Sequence, residues 1–144
     1  MVVSSTGSSS PIVLVVEDEH WMRYQIADFL RHGGCTVLEA CSADQAVALG
    51  RQVPLDVLLT DADLNSSESG LDVAKALRAD QPSIGVIYVS AIPVDHERRV
   101  SDSLCFCKPY SGGVILHACR ELASAATRDR ILFQAGRCEP AIAV

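Results

Sequence analysis

The chain lacks a long apolar run. No window of its 144 residues approaches the about 20 unbroken apolar residues that a membrane-spanning helix needs, so we expect no membrane partner. The first residues, MVVSSTGSSSP, have no basic start and no long apolar core, which argues against a secretory signal. These two absences predict a cytoplasmic protein.

Basic residues and paired cysteines are also scarce. Lys and Arg total 12 against 18 Asp and Glu, a net charge of −6, so we expect no nucleic-acid partner. The six cysteines show no zinc-site spacing. Only Cys105 and Cys107 are close to each other, and we expect the cysteines to be buried, reduced thiols. The composition and length favour one ordinary folded domain.

What the sequence does contain is a regular alternation of apolar runs with amphipathic segments. We predict strands in PIVLVVED, CTVLEA, LDVLLTD, IGVIYVSA and LCFCKPY, and helices in EHWMRYQIADFLRHGG, SADQAVALGRQ, SGLDVAKALRADQP, PVDHERRVSD and GGVILHACRELASAA. The fourth helix is short and polar. Strands 1, 3 and 4 are apolar throughout, which is typical of strands buried on both faces, so we predict an α/β fold with an open, parallel, doubly wound sheet.

The domain is expected to span residues 11–126. Residues 1–10 are rich in Ser and Gly and are predicted to be a flexible tail. Residues 127–144 are predicted to be a C-terminal extension, in which the last helix continues to about Phe133.

Charged and hydroxyl side chains follow four of the five predicted strands. In a doubly wound sheet, ligands bind beyond the carboxyl ends of the strands, so residues in these positions are candidates for one site. The candidates are Glu17, Asp18 and Glu19 after strand 1, Asp61 and Asp63 after strand 3, Ser90 after strand 4 and Lys108 after strand 5.

This set of residues suits a divalent cation and a phosphoryl group. Clustered carboxylates raise each other's pKa unless a cation neutralises them, and Mg²⁺ prefers oxygen ligands such as carboxylates and phosphate oxygens. A carboxylate can also be the nucleophile that forms an aspartyl-phosphate. An ammonium and a hydroxyl group would then hold the new phosphoryl oxygens.

Four motifs in this order and spacing resemble the receiver domains of two-component response regulators. They are VVEDE after strand 1, LLTD after strand 3, YVSA after strand 4 and KPY after strand 5. The resemblance covers roughly residues 11–126. It implies a flavodoxin-like (β/α)5 fold with strand order 2-1-3-4-5, and a stand-alone domain that receives a phosphoryl group from a histidine kinase or a phosphotransfer protein.

The resemblance implies that Asp61 is the phospho-acceptor. It further implies a Mg²⁺ ion ligated by the side chains of Asp18 and Asp61, by Glu17 directly or through water, and by the backbone carbonyl of Asp63. We find the role of the Asp63 side chain open, since it is either a solvated acid or a group that tunes dephosphorylation.

The resemblance implies two further roles near the phosphoryl group. Ser90 would be the hydroxyl that moves to it, and Lys108 would pair with it. Pro109 would set the following turn, in the family often through a cis bond.

The chain departs from the family pattern at two places besides Asp63. Asn65 stands where the family usually has proline, and the same loop has two extra residues before Gly70. Cys105 stands three residues before Lys108, where the family usually has Phe or Tyr as a switch aromatic. Phe106 is adjacent but is expected to face the opposite side of the sheet, which leaves the usual coupling to the serine open.

Three functions follow from these observations. The first is a phosphoryl-accepting signalling switch with output through protein contact, because no output domain is evident within the sequence. The second, motivated by Cys105, is a phosphorylation-independent interaction module on the same fold. The third is a phosphatase, because DAD at residues 61–63 superficially matches haloacid-dehalogenase enzymes. Those enzymes carry the motif on the first strand, so we expect no multiple-turnover activity.

Overall fold

The computed structural model describes residues 10–64 and 67–134, with side chains up to residue 126. The five strands are β1 (Ile12–Val16), β2 (Thr36–Ala40), β3 (Val57–Asp61), β4 (Gly85–Ser90) and β5 (Ser103–Cys107). The four α-helices are α1 (His20–His32), α2 (Ala43–Gly50), α3 (Gly70–Asp80) and α4 (Gly112–Gln134). Most of the predicted tail 1–10, the position Asn65 and the last part of the predicted extension lie outside the described residues.

The sheet is parallel throughout, in the order β2-β1-β3-β4-β5. The predicted doubly wound, flavodoxin-like topology is therefore confirmed. The three central strands are β1, β3 and β4, and every residue of β3 and β4 is buried. Their apolar runs reflect coverage of both faces by helices.

Two apolar clusters hold the helices to the sheet, one on each face. The α1/α4 face buries Ile26 and Leu30 of α1 and Ile115 of α4 against odd-numbered residues of β1 and β3. The α2/α3 face buries Ala46 of α2 and Leu77 of α3 against the even-numbered ones. This alternation follows from the two-residue period of a strand.

Local capping explains where two helices begin. Ser42 is the N-cap of α2, as predicted, and its side chain accepts a hydrogen bond from the backbone N–H of Gln45. Ser69 begins α3 with a capping box, in which its side chain and that of Asp72 each accept from the other's backbone N–H.

The prediction of a helix over residues 93–102 is wrong. The connection from β4 to β5 contains only a three-residue 3-10 turn, His96–Arg98, and none of those three residues is buried. Pro93 near its start provides no backbone donor and disfavours helical backbone at the residue before it. Within the connection only Val94 and Val100 pack on the sheet, which is too small an apolar face to support a full helix.

The five cysteines that the structure describes are free thiols but are not all buried, and Cys138 lies outside the described residues. Cys35 and Cys119 are buried as predicted, and Cys105 is half-buried. For Cys41 and Cys107 the prediction of burial is wrong, because both are exposed. Cys41 follows β2 and Cys107 ends β5, and these are the two edge strands of the sheet, where coverage by neighbouring elements is least.

The last helix, predicted to continue to about Phe133, extends to Gln134. No helix in the described part of the chain is long and apolar enough to cross a membrane.

Candidate functional site

Strand geometry brings the predicted site residues to one edge of the sheet. Glu17 and Asp18 directly follow β1, Asp61 is the last residue of β3, and Lys108 directly follows β5. Because the strands are parallel, their carboxyl ends lie together. Residues that are far apart in sequence therefore meet here.

Lys108 joins the acids of β1 and β3. Its ammonium Nζ lies 2.7 Å from Asp61 Oδ2 and 3.1 Å from Glu17 Oε1. The three side chains are largely excluded from solvent, with exposed fractions of 18% for Lys108, 9% for Asp61 and 6% for Glu17. The backbone N–H of Lys108 donates to the carbonyl of Ser90 at 2.8 Å, so β4 fixes where the lysine leaves β5. The Lys108–Pro109 peptide bond is cis.

Three carboxylates form a compact group of candidate metal ligands. One oxygen from each of Glu17, Asp18 and Asp61 lies within 4.8 Å of the other two. All three donors are carboxylate oxygens, which is the ligand type that Mg²⁺ prefers. The described residues thus fit the predicted ion.

Asp63 is placed differently from these three acids. Its side chain is exposed, and its backbone N–H donates to Asp61 Oδ1 at 2.9 Å. Among the described residues, the carboxylate group that fits an ion does not include the Asp63 side chain. The role predicted for its carbonyl stays a prediction.

Burial and charge act against each other in the electrostatics of the site. Burial, above all, raises the pKa of Glu17, and the nearby charge of Asp61 adds to this, whereas hydrogen bonds from the Glu19 backbone and from Lys108 oppose it. Burial alone would lower the pKa of Lys108, but its hydrogen bonds to Asp61 and Glu17 and their charges raise it overall. The lysine is therefore a firmly protonated ammonium between two acids.

Ser90 ends β4 as predicted and is buried. Its hydroxyl oxygen accepts a hydrogen bond from the backbone N–H of Ile92 at 3.3 Å. The serine thus holds the first turn of the connection that follows β4.

Two features that shape the site were not predicted from the sequence. Glu19 is the N-cap of α1, with its side chain accepting from the N–H of Met22, and its own N–H donates to Glu17 Oε2 at 3.1 Å. A Cβ atom at Gly70 would lie 1.9 Å from the carbonyl oxygen of Asp61, so only glycine lets α3 pack this close to the acceptor strand. A glycine directly after an N-cap serine was the available signal, because glycine is unfavourable inside a helix unless packing requires it.

Comparison with known families agrees with this geometry. The sequence profile described as "Response regulator receiver domain" matches residues 13–100, more than half of the chain.

The chain belongs to this family.

Solved receiver domains share the fold of this one at low sequence identity. A response regulator receiver protein from Sinorhizobium medicae superposes with a TM-score of 0.74 and 21% identity, covering 81% of this chain and 97% of that one. A CheY-like receiver domain from Methanospirillum hungatei gives a TM-score of 0.75 and 19% identity, covering 84% and 99%. At this identity, the likeness concerns the fold alone.

Two relatives each match this chain over 79 residues, which is 55% of its length. A cyclic di-GMP phosphodiesterase from Thermotoga maritima is 37% identical there, and the segment is 21% of that protein. The probable transcriptional regulatory protein TcrX from Mycobacterium tuberculosis is 34% identical, and the segment is 33% of its length. This chain thus matches a minor part of each relative.

Membership places the chain in two-component signalling. Receiver domains are typically signalling switches, generally bind Mg²⁺ at an acidic pocket, and interact with histidine kinases or phosphotransfer proteins and with effector domains. The acidic group of Glu17, Asp18 and Asp61 lies where this family's pocket is expected.

At β5 the structure bears on the departure from the family pattern, in which Cys105 stands at the usual aromatic position. Cys105 packs with the α2/α3 face and Phe106 with the α1/α4 face, so the two residues point to opposite sides as predicted. Phe106 therefore does not substitute for an aromatic residue at position 105.

Proposed function

We propose that this chain is a phosphoryl-accepting signalling switch, phosphorylated on Asp61 by a histidine kinase or a phosphotransfer protein, with output through protein contact. The observation that supports the proposal most is the contact between Lys108 and Asp61 at 2.7 Å beside a group of carboxylates suited to Mg²⁺. A nucleophile, a cation that neutralises charge and a metal-binding group are thereby adjacent.

In the proposed reaction, an Asp61 oxygen forms a bond to phosphorus while the bond from phosphorus to the donor's imidazole nitrogen breaks. The imidazole keeps that electron pair and takes up a proton. Lys108 pairs with the negative charge of the phosphoryl oxygens, and the hydroxyl of Ser90 donates a hydrogen bond to one of them.

Glu17, Asp18 and Asp61, with the carbonyl of Asp63, would hold Mg²⁺. When bound, the ion neutralises charge on the phosphoryl oxygens. Both oxygens of Glu17 already accept hydrogen bonds, one from Lys108 and one from the Glu19 backbone. Binding of Glu17 through water would leave these two bonds in place.

The test is incubation with acetyl phosphate and MgCl₂, read by intact mass. We expect the wild-type chain to gain one phosphoryl group, and the gain to disappear in Asp61→Asn and in wild type treated with EDTA. Asp56→Asn is the matched control, because Asp56 is an equally buried acid at the other end of β3, and it should keep the gain. An unchanged gain in Asp61→Asn, or none in wild type, would contradict the proposal.

Two features of the region from β4 to β5 support a second function. This region has Cys105 at the usual aromatic position and a 3-10 turn in place of a fourth helix, and both changes lie where a phosphorylation-driven response is expected. A phosphorylation-independent interaction module would bind its partner equally well as wild type and as Asp61→Ala. A partner that binds only the phosphorylated wild type excludes this alternative.

A further inference from the structure

Tyr88 occupies an unexpected place in the sheet. It is fully buried in β4, with an exposed fraction of 0%, and is the largest completely buried side chain among the described residues. In the parallel register it pairs with Cys105 of β5, and both pack with the apolar cluster on the α2/α3 face. A large aromatic ring in β4 thus stands beside a small side chain at the position where the family resemblance implied an aromatic one.

Tyr88 is also tied to the connection between β4 and β5. Its phenolic oxygen accepts a hydrogen bond from the backbone N–H of Val100 at 3.1 Å. Ser90, two residues later and on the same face of β4, accepts from the N–H of Ile92 at 3.3 Å. Side chains of one strand face therefore hold both ends of the connection.

The connection has little else to fix its middle part. Residues 91–99 are exposed except for two partly buried ones, Val94 and Arg99, and contain only the 3-10 turn. At its far end, Arg78 of α3 donates to the carbonyl of Ser101 at 2.9 Å, next to the Val100 bond. The hydroxyl of Ser103 also donates to the Val100 carbonyl at 2.7 Å. The second end is thus anchored three times, while the first end depends on the serine of the phosphorylation site.

We propose that Tyr88 couples the phosphorylation site to the connection 91–102, in place of an aromatic residue at position 105. This inference rests on the proposed function, because phosphorylation of Asp61 is the event that draws the Ser90 hydroxyl away from the Ile92 N–H. Tyr88 then holds Val100 as a fixed point, and the freed residues between Ile92 and Arg99 rearrange about it. Without the hydrogen bond between Tyr88 and Val100, these residues no longer rearrange to one fixed conformation.

Tyr88→Phe tests the coupling by removing the acceptor and keeping the ring. Tyr24→Phe is the matched control, since Tyr24 lies exposed on α1. Each protein is measured by backbone amide NMR and hydrogen exchange, with and without Mg²⁺ and beryllofluoride, which mimics the phosphoryl group. In wild type and Tyr24→Phe we expect ligand-induced shifts across 91–99 and a protected Val100 amide in both states.

In Tyr88→Phe we expect exchange of the Val100 amide to be at least about tenfold faster, the ratio that corresponds to a bond contribution of about 1.4 kcal/mol. The induced shifts should shrink to residues beside Asp61 and Ser90, while phosphoryl uptake from acetyl phosphate stays at the wild-type level. Shifts across 91–99 equal to wild type would overturn the coupling. Absence of any response in wild type would instead reject the proposed function and the inference with it.

Val100→Pro is a second route to the same result, because it removes the donor and leaves Tyr88 intact. Arg99 already has extended backbone angles, φ −91° and ψ 155°, which suit a residue before proline. Loss of the induced shifts in this variant supports the coupling, and their persistence in a folded variant overturns it.

Discussion

Two aspartates lie at opposite ends of β3 and are equally buried. Asp56 directly precedes the strand and Asp61 is its last residue, and each residue, backbone included, is 7% exposed. Both sit beside the same apolar run, and burial alone does not distinguish them. Their partners do.

Asp56 is met by backbone groups. Its Oδ2 accepts from the N–H of Ile12 at 2.8 Å, its own N–H donates to the Ile12 carbonyl, and its carbonyl accepts from Gly85. It therefore ties β1, β3 and β4 together where these strands begin. Such a carboxylate stabilises the fold and leaves little for a ligand to bind.

Asp61 is met by charged side chains. Lys108 neutralises it, while Glu17 and Asp18 crowd it with like charge. Such a group is held at a cost to the fold that a bound cation relieves. In this protein, then, contacts with charged side chains mark Asp61 as part of a functional site. Contacts with the backbone mark Asp56 as a residue that stabilises the fold.

The largest expected effect is at the Asp61 end. Lys108→Met leaves Glu17 and Asp61 buried and facing each other without a cation. We expect the free energy of unfolding in EDTA to fall by about 3 kcal/mol, since removal of one partner from a buried ion pair leaves uncompensated charge. Urea denaturation measures this fall.

Mg²⁺ provides the control for that prediction. Because the carboxylates lose their internal cation, the metal should restore a larger part of the stability in Lys108→Met than it adds to wild type. Equal Mg²⁺ effects in the two proteins would show that the lysine does not offset the acids.

The two ends of β3 also differ in how far the sequence predicts them. The Asp61 site could be predicted because buried parallel strands are apolar runs, and the residues that end these runs share one edge. The role of Asp56 could not, because Ile12 is distant in sequence and contacts it through backbone groups alone. No side-chain pattern marks such a bond.

The connection after β4 shows a different limit. Its polar residues are compatible with a weak helix, but a helix of this length needs an apolar face on the sheet, and only Val94 and Val100 of the connection pack there. Packing, rather than local propensity, decides the structure.

A smaller effect on the free energy of unfolding is expected at the Asp56 end of β3. Asp56→Ala removes the acceptor for the Ile12 N–H, so we expect a loss of about 2 kcal/mol in unfolding free energy. Asp56→Asn keeps a carbonyl oxygen that can accept the same bond and should lose about 1 kcal/mol. Urea denaturation with and without Mg²⁺ should show the same loss in both conditions. A loss that Mg²⁺ reverses would place Asp56 in the metal site and end the distinction between the two acids.

The smallest effect is a pH dependence at the Asp61 end. Burial, opposed only in part by Lys108 and the Glu19 backbone, raises the pKa of Glu17 above its ordinary value of 4.5. The folded state therefore keeps this proton to a higher pH than the unfolded state. As a result, stability falls as the pH rises from about 4.5 through the raised pKa, with a limiting slope of about 1.4 kcal/mol per pH unit. Glu17→Gln has no proton to lose there and still offers an oxygen to Lys108. Urea midpoints in metal-free buffer should fall less steeply with pH in this variant than in wild type, and parallel profiles would show that burial of Glu17 carries no such cost.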